Sequence, residues 1–80
     1  MSRIPRDVSH KELCLSLGKY GYTITRQTGS HIRLKSELMG YEHSITIPAH
    51  KTIKIGTLNK ILTDVATYLK IKKEKLFEIL

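Results

Sequence analysis

Apolar positions change their period along the chain, and each change marks an element. Leu13, Leu17 and Tyr20 recur at i, i+4 and i+7 with Cys14 beside them, which predicts a helix over about Ser9 to Tyr20 with one buried stripe. Ser9 followed by Glu12 reads as a capping box, Val8 can staple onto Leu13, and Gly21 can close the helix. From Tyr22 the period becomes two. Ile24 alternates with Thr23 and Thr25, Ile32 and Leu34 with His31, Arg33 and Lys35, and Ile45 and Ile47 with Ser44 and Thr46, so half-buried strands are expected. Thr28-Gly29-Ser30 and Met39-Gly40 supply turns between them, and Pro48 ends the third. Helical spacing returns at Leu58, Ile61, Leu62, Val65 and Leu69, with Gly56-Thr57 as the expected cap. Lys72 to Leu80 reads as a short terminal helix turning Leu76, Phe77 and Leu80 inward.

Strand register follows from the faces, because a slip of one residue would carry every apolar side chain to the wrong side. The best fit opposes Leu34 to Ile45 and Ile32 to Ile47, and across the first hairpin Ile24 to Leu34 and Gln27 to His31. Thr23, Thr25, Gln27, His31, Arg33, Lys35, Ser44 and Thr46 then share a polar, cationic, open face. The expected fold is α+β: a two-layer α-β-β-β-α domain resembling the double-stranded-RNA-binding fold, with a three-stranded antiparallel sheet covered by helices on one face. Residues 1–80 are expected to form one domain, since so short a chain cannot supply two cores.

Charge narrows the partners. Fourteen Lys and Arg against seven Asp and Glu give a formal +7 over 80 residues, a positive field that favours polyanions, nucleic acid first. Apolar residues at 40% and charged residues at 26% are ordinary for a globular chain, so no cofactor is expected to organise the fold. A single cysteine, Cys14, excludes an internal disulfide and a thiolate metal cluster. The N-terminal stretch is polar, and no run approaches the length of a membrane span. A soluble, cytoplasmic protein with no membrane partner is the expectation.

The most informative stretch is Gly29-Ser30-His31 after Arg26-Gln27, at the mouth of a hairpin. An imidazole titrates near neutrality, so His31 can take the proton of a ribose 2′-hydroxyl or give one to a leaving oxygen. RNA brings its own nucleophile, and cleavage then needs proton transfer, positioning and charge stabilisation but no metal. Arg26, Arg33 and Lys35 are candidates to hold phosphate oxygens, and Ser30 to orient His31 or donate to the same oxygens. Lys54 beside the Gly56-Thr57 helix start is a further candidate for a phosphate contact, although an ordinary helix cap is the simpler reading of that start. His50 is a possible secondary residue, better read as a local contact; His10 and His43 read as surface residues. The four histidines lack zinc-site spacing, so no metal site is expected.

Several separated features occur in order: the Val8-Ser9 helix start, Gly21-Tyr22, Arg26-Gln27, Gly29-Ser30-His31, Ile47-Pro48-Ala49-His50, Lys54, and Gly56-Thr57-Leu58 before Ile61-Leu62. Together the set resembles the HicA (YcfA-like) toxins from about Ile4 to Leu80. The resemblance implies a toxin of a type II toxin-antitoxin pair, an endoribonuclease that cleaves mRNA and is inhibited by a HicB-type antitoxin. It also implies that His31 is the catalytic residue, with Arg26, Gln27, Ser30, Arg33, Lys35 and Lys54 as RNA-binding candidates and no small-molecule cofactor. From the residues alone, two other readings stay open. The basic sheet face can serve a non-catalytic RNA-binding module, or it can dock an acidic protein partner.

Overall fold

Helix α1 (His10–Gly18) starts where Ser9 Oγ accepts the Glu12 backbone N–H at 3.1 Å. The same hydroxyl donates to Glu12 Oε1 at 3.2 Å, so the box closes through the Ser9 side chain. Val8 and Leu13 flank this cap and both are buried, as a staple requires. At the other end the Tyr22 N–H reaches the Leu17 carbonyl at 3.2 Å and the Gly21 N–H reaches that of Gly18 at 3.1 Å. With Gly21 at φ 82°, this is a Schellman closure. The regular helix therefore stops at Gly18, short of the expected Tyr20, because its last turn tightens into that motif. The computed structural model describes residues 4–80; Met1 to Arg3, the beginning of the polar N-terminal stretch, lie outside the described residues.

Strands β1 (Thr23–Thr28), β2 (His31–Ser36) and β3 (His43–Pro48) form an antiparallel sheet in the order β1-β2-β3. Ile32 faces Ile47 and Leu34 faces Ile45, the register that the alternation predicts. Ile24 also faces Leu34. Beyond it the expected pairing of Gln27 with His31 does not occur. The ladder shifts between Ile24 and Arg26, so that Arg26 faces Arg33, Gln27 faces Ile32 and Thr28 faces His31. Thr25 is the extra residue of a bulge, and a bulge moves every later side chain of its strand to the other face. Arg26 and Thr28 thus join His31 on the open face, where Thr25 and Gln27 were expected.

Strand β1 is more open than a half-buried strand: all its residues are exposed, Ile24 by 54%. The buried layer beneath the sheet comes instead from Ile32 and Leu34 of β2 and Ile45 and Ile47 of β3. Helix α2 (Ile55–Leu69) lays its expected stripe of Leu58, Ile61, Leu62, Val65 and Leu69 on that core, joined by Ala66 and Tyr68. It starts earlier than expected, with Lys54 at the N-cap and the Leu58 N–H bonded to the Lys54 carbonyl at 2.9 Å. Gly56 and Thr57 lie in the first turn and do not cap it. Helix α3 (Lys73–Phe77) buries Leu76, with Phe77 and Leu80 packed partly against the core, and Ser16 Oγ donates to the Ile79 carbonyl at 2.7 Å. The architecture is α+β, in the order α-β-β-β-α with a short final helix. No helix among the described residues is long and apolar enough to cross a membrane.

Burial sets a contrast between two residues that face each other across β1 and β2. Leu34→Ala, at a side chain 1% exposed, should cost about 2–5 kcal/mol. Ile24→Ala on the open edge should change stability by no more than about 0.5 kcal/mol. Urea unfolding of the two variants measures both, and equal losses would show that β1 is packed as tightly as β2.

Candidate nucleic-acid interface and active site

Alternation along β2 builds the centre of the site. Because Ile32 and Leu34 are buried, His31 and Arg33 must project to the opposite, open face. Gly29, at φ 51°, allows a two-residue turn between Thr28 and His31, so His31 stands at the first position of its strand. Pro48 of β3 faces His31 on the other side, and the Ala49 N–H donates to the Ser30 carbonyl at 2.7 Å. This last bond ties the chain leaving β3 to the hairpin turn and carries His50 toward His31.

Two cavities meet at His31. One is lined by Arg26, Thr28, His31, Arg33 and Thr46. The other is lined by His31, Thr46, Pro48, His50, Lys54 and Thr57. The first exists because of the bulge: in the unbulged register Arg26 would point away from this face. It also sets Arg26 directly opposite Arg33, a like-charge cross-strand pair that costs free energy until an anion lies between the guanidinium groups. The second cavity faces the start of α2, where no side-chain cap among the described residues occupies the free N–H groups of the first turn. Such an end attracts an anion, and Lys54 adds a full charge beside it.

His50 is held from behind. Its carbonyl accepts the His10 backbone N–H at 3.2 Å and bonds with His10 Nδ1 at 2.9 Å. A carbonyl only accepts, so Nδ1 of His10 carries the proton. His10, expected to be a surface residue without a task, therefore pins the His50 segment. Of the other candidates, Ser30, Gln27 and Lys35 line neither cavity. Gln27 sits opposite Ile32, Ser30 contributes its carbonyl, and Lys35 lies 3.4 Å from the Glu42 carboxylate in an exposed ion pair. Thr28 and Thr57 line the site without having been expected to do so by their side chains. The bulge hid the first, and the early start of α2 hid the second.

His43, expected as a surface residue, is half-buried and has partners of its own. Its ring stacks on Tyr68 at 4.7 Å, and its Nδ1 lies 2.6 Å from the Tyr22 hydroxyl. Burial is the main cause that pushes this tyrosine hydroxyl well above its ordinary pKa, with the neighbouring Tyr68 and Asp64 adding to the shift. Among the described residues, no three of His, Cys, Asp and Glu gather as a metal-binding group.

No curated protein and no solved structure matched the chain. The family model described as HicA toxin of bacterial toxin-antitoxin matches residues 10–66, a span from the start of α1 through most of α2 that contains both cavities at His31. The chain therefore belongs to the HicA toxin family.

Proposed function

We propose that this toxin is a metal-independent endoribonuclease that cleaves mRNA at His31, and that a HicB-type antitoxin neutralises it by covering the same cationic face. The observation that carries this reading is the position of one imidazole between two anion-attracting cavities, the Arg26–Arg33 pair on one side and Lys54 with the α2 N-terminus on the other. A phosphodiester backbone threaded past His31 meets cations on both sides of the scissile phosphate. In the reaction, the ribose 2′-hydroxyl attacks the adjacent phosphorus and loses its proton, while the 5′-oxygen leaves and gains one. His31 carries one of these transfers. Arg26 and Arg33 stabilise the charge that accumulates on the phosphorane oxygens, where preorganised donors count most. His50 lines the cavity on the α2 side and serves the same centre in a secondary role.

Purified protein and a long RNA substrate in EDTA test the reading. His31→Ala should remain folded and lose about 10²- to 10⁴-fold in cleavage rate, with His50→Ala losing less. Undiminished cleavage by a folded His31→Ala protein would sink the catalytic assignment of His31, and RNA binding without cleavage by the wild type would leave an RNA-binding module. RNA binding should weaken as salt rises. Arg26→Gln and Arg33→Gln should each lower the slope of log affinity against log salt by about 0.7, the value for one lost single-strand phosphate contact. A slope unchanged in both variants would remove the paired arginines from the RNA path.

A further inference from the structure

The cavity on the α2 side of His31 does not end there. It shares Thr46 and Thr57 with a second depression between β3 and α2 that contains Lys60 and Asp64. That depression shares Asp64 with a third, lined by Tyr41, His43, Thr67 and Tyr68. Through these shared residues the three depressions follow one another along the seam between β3 and α2. One wall is the outer edge of β3, which carries no partner strand among the described residues. The other is the face of α2 from Thr57 through Lys60 and Asp64 to Tyr68. Pro48 to His43 along the strand measures about 17 Å at ordinary strand rise, and Thr57 to Tyr68 along the helix about 17 Å at helical rise. The walls therefore run side by side over the length of a few extended nucleotides.

Chemistry changes along this groove. Its head has His31, Lys54 and the open α2 N-terminus, and its middle has Lys60, so both suit a phosphate backbone. Its far end is aromatic. Tyr41 is 56% exposed, and its ring lies 5.0 Å from that of Tyr68, nearly edge-on. Tyr68 fixes the segment that carries it: its hydroxyl bonds the Tyr41 and Ser36 carbonyls and accepts the Met39 N–H at 3.1 Å. His43 is stacked on Tyr68 from β3. An exposed aromatic ring held by its own backbone contacts is a preformed stacking surface for a base. Beside it Asp64 offers only hydrogen-bond acceptors.

We propose that this far end is a nucleobase subsite. It stacks one unpaired base of the RNA on Tyr41, whose ring is the exposed one, and Asp64 accepts a hydrogen bond from that base's exocyclic amino group. The subsite favours adenine, cytosine or guanine over uracil at a position a few nucleotides from the scissile phosphate. A carboxylate in an otherwise basic groove fits this role. It repels the backbone from the aromatic end and is satisfied by an amino-bearing base edge, as acidic side chains are by the cytosine amine. Base readout of this kind requires a single strand with splayed bases. The inference rests on the RNA-cleaving reading of His31 and adds to it where the substrate is read.

The test uses fluorescence anisotropy of labelled single-stranded oligoribonucleotides with the full chain carrying His31→Ala, so that binding is read without cleavage. Adding Tyr41→Ala should weaken binding by about 5- to 150-fold while leaving the thermal midpoint close to that of the parent. One abasic substitution, scanned along the oligonucleotide, should reproduce most of this loss at a single position, where Tyr41→Ala then adds little. Asp64→Ala should abolish the preference for an amino-bearing base over uracil at that position. If the parent binds RNA and wild type cleaves it, but Tyr41→Ala and Asp64→Ala change neither affinity nor cleavage-site choice, the subsite falls and the reading of His31 stands. If the parent binds no RNA and wild type cleaves none, both fall. If the two substitutions weaken only the binding of an antitoxin protein, the groove is a peptide site and the subsite is overturned.

Discussion

The strict alternation of β2 is the constraint on which the rest of the molecule depends. Ile32 and Leu34 are almost completely buried and face Ile47 and Ile45, so the central strand cannot slip by one residue without exposing two core side chains. That fixes His31, Arg33 and Lys35 on the open face. The strand ends on Ser36, also buried, whose hydroxyl donates to the Tyr20 carbonyl at 3.0 Å and accepts the Leu38 N–H at 3.2 Å. A Cβ on Gly21 would approach this hydroxyl to 3.2 Å. The glycine that closes α1 is thus also the residue that lets α1 lie close to the end of β2.

Where β2 is rigidly determined, its neighbours adjust the site around it. The bulge at Thr25 costs one unpaired residue and brings Arg26 into line with Arg33. Two like charges set opposite each other are unfavourable in an empty sheet and favourable once a phosphate bridges them, which is the pattern of a binding site that holds part of its stability in reserve. On the other side the bond from Ala49 to Ser30 draws the His50 segment in, and His10 braces it. The proposed chemistry then follows from the placement of charges about one imidazole, with the nucleophile supplied by the RNA.

Legibility in the sequence tracked how much apolar burial reported on each position. The β2–β3 register, the α1 cap and the α2 stripe were readable because a wrong choice would have exposed Ile or Leu side chains. The bulge was not, since Thr25, Arg26 and Gln27 are all polar and exposed, and no apolar residue after Ile24 records which way β1 turns. The early start of α2 was hidden similarly: Lys54 contributes only its carbonyl to the first turn, leaving Thr57 as the more conventional cap on paper. Proximity of His50 to His31 was within reach, because the Ile32–Ile47 register already puts Pro48 opposite His31. The cluster of Tyr22, Tyr41, His43 and Tyr68 was beyond it. Those side chains come from separate elements that meet only when α2 is laid against the sheet.

The proposed RNA cleavage at His31 rests on attack by the substrate's own 2′-hydroxyl. The most direct measurement compares an RNA containing the preferred cleavage site with the same RNA bearing one 2′-deoxynucleotide immediately 5′ to the scissile phosphate. The proposed 2′-hydroxyl attack requires that this single change abolish cleavage at that phosphate while leaving binding nearly unchanged. Cleavage of the deoxy-substituted strand at the same bond and a similar rate would contradict it.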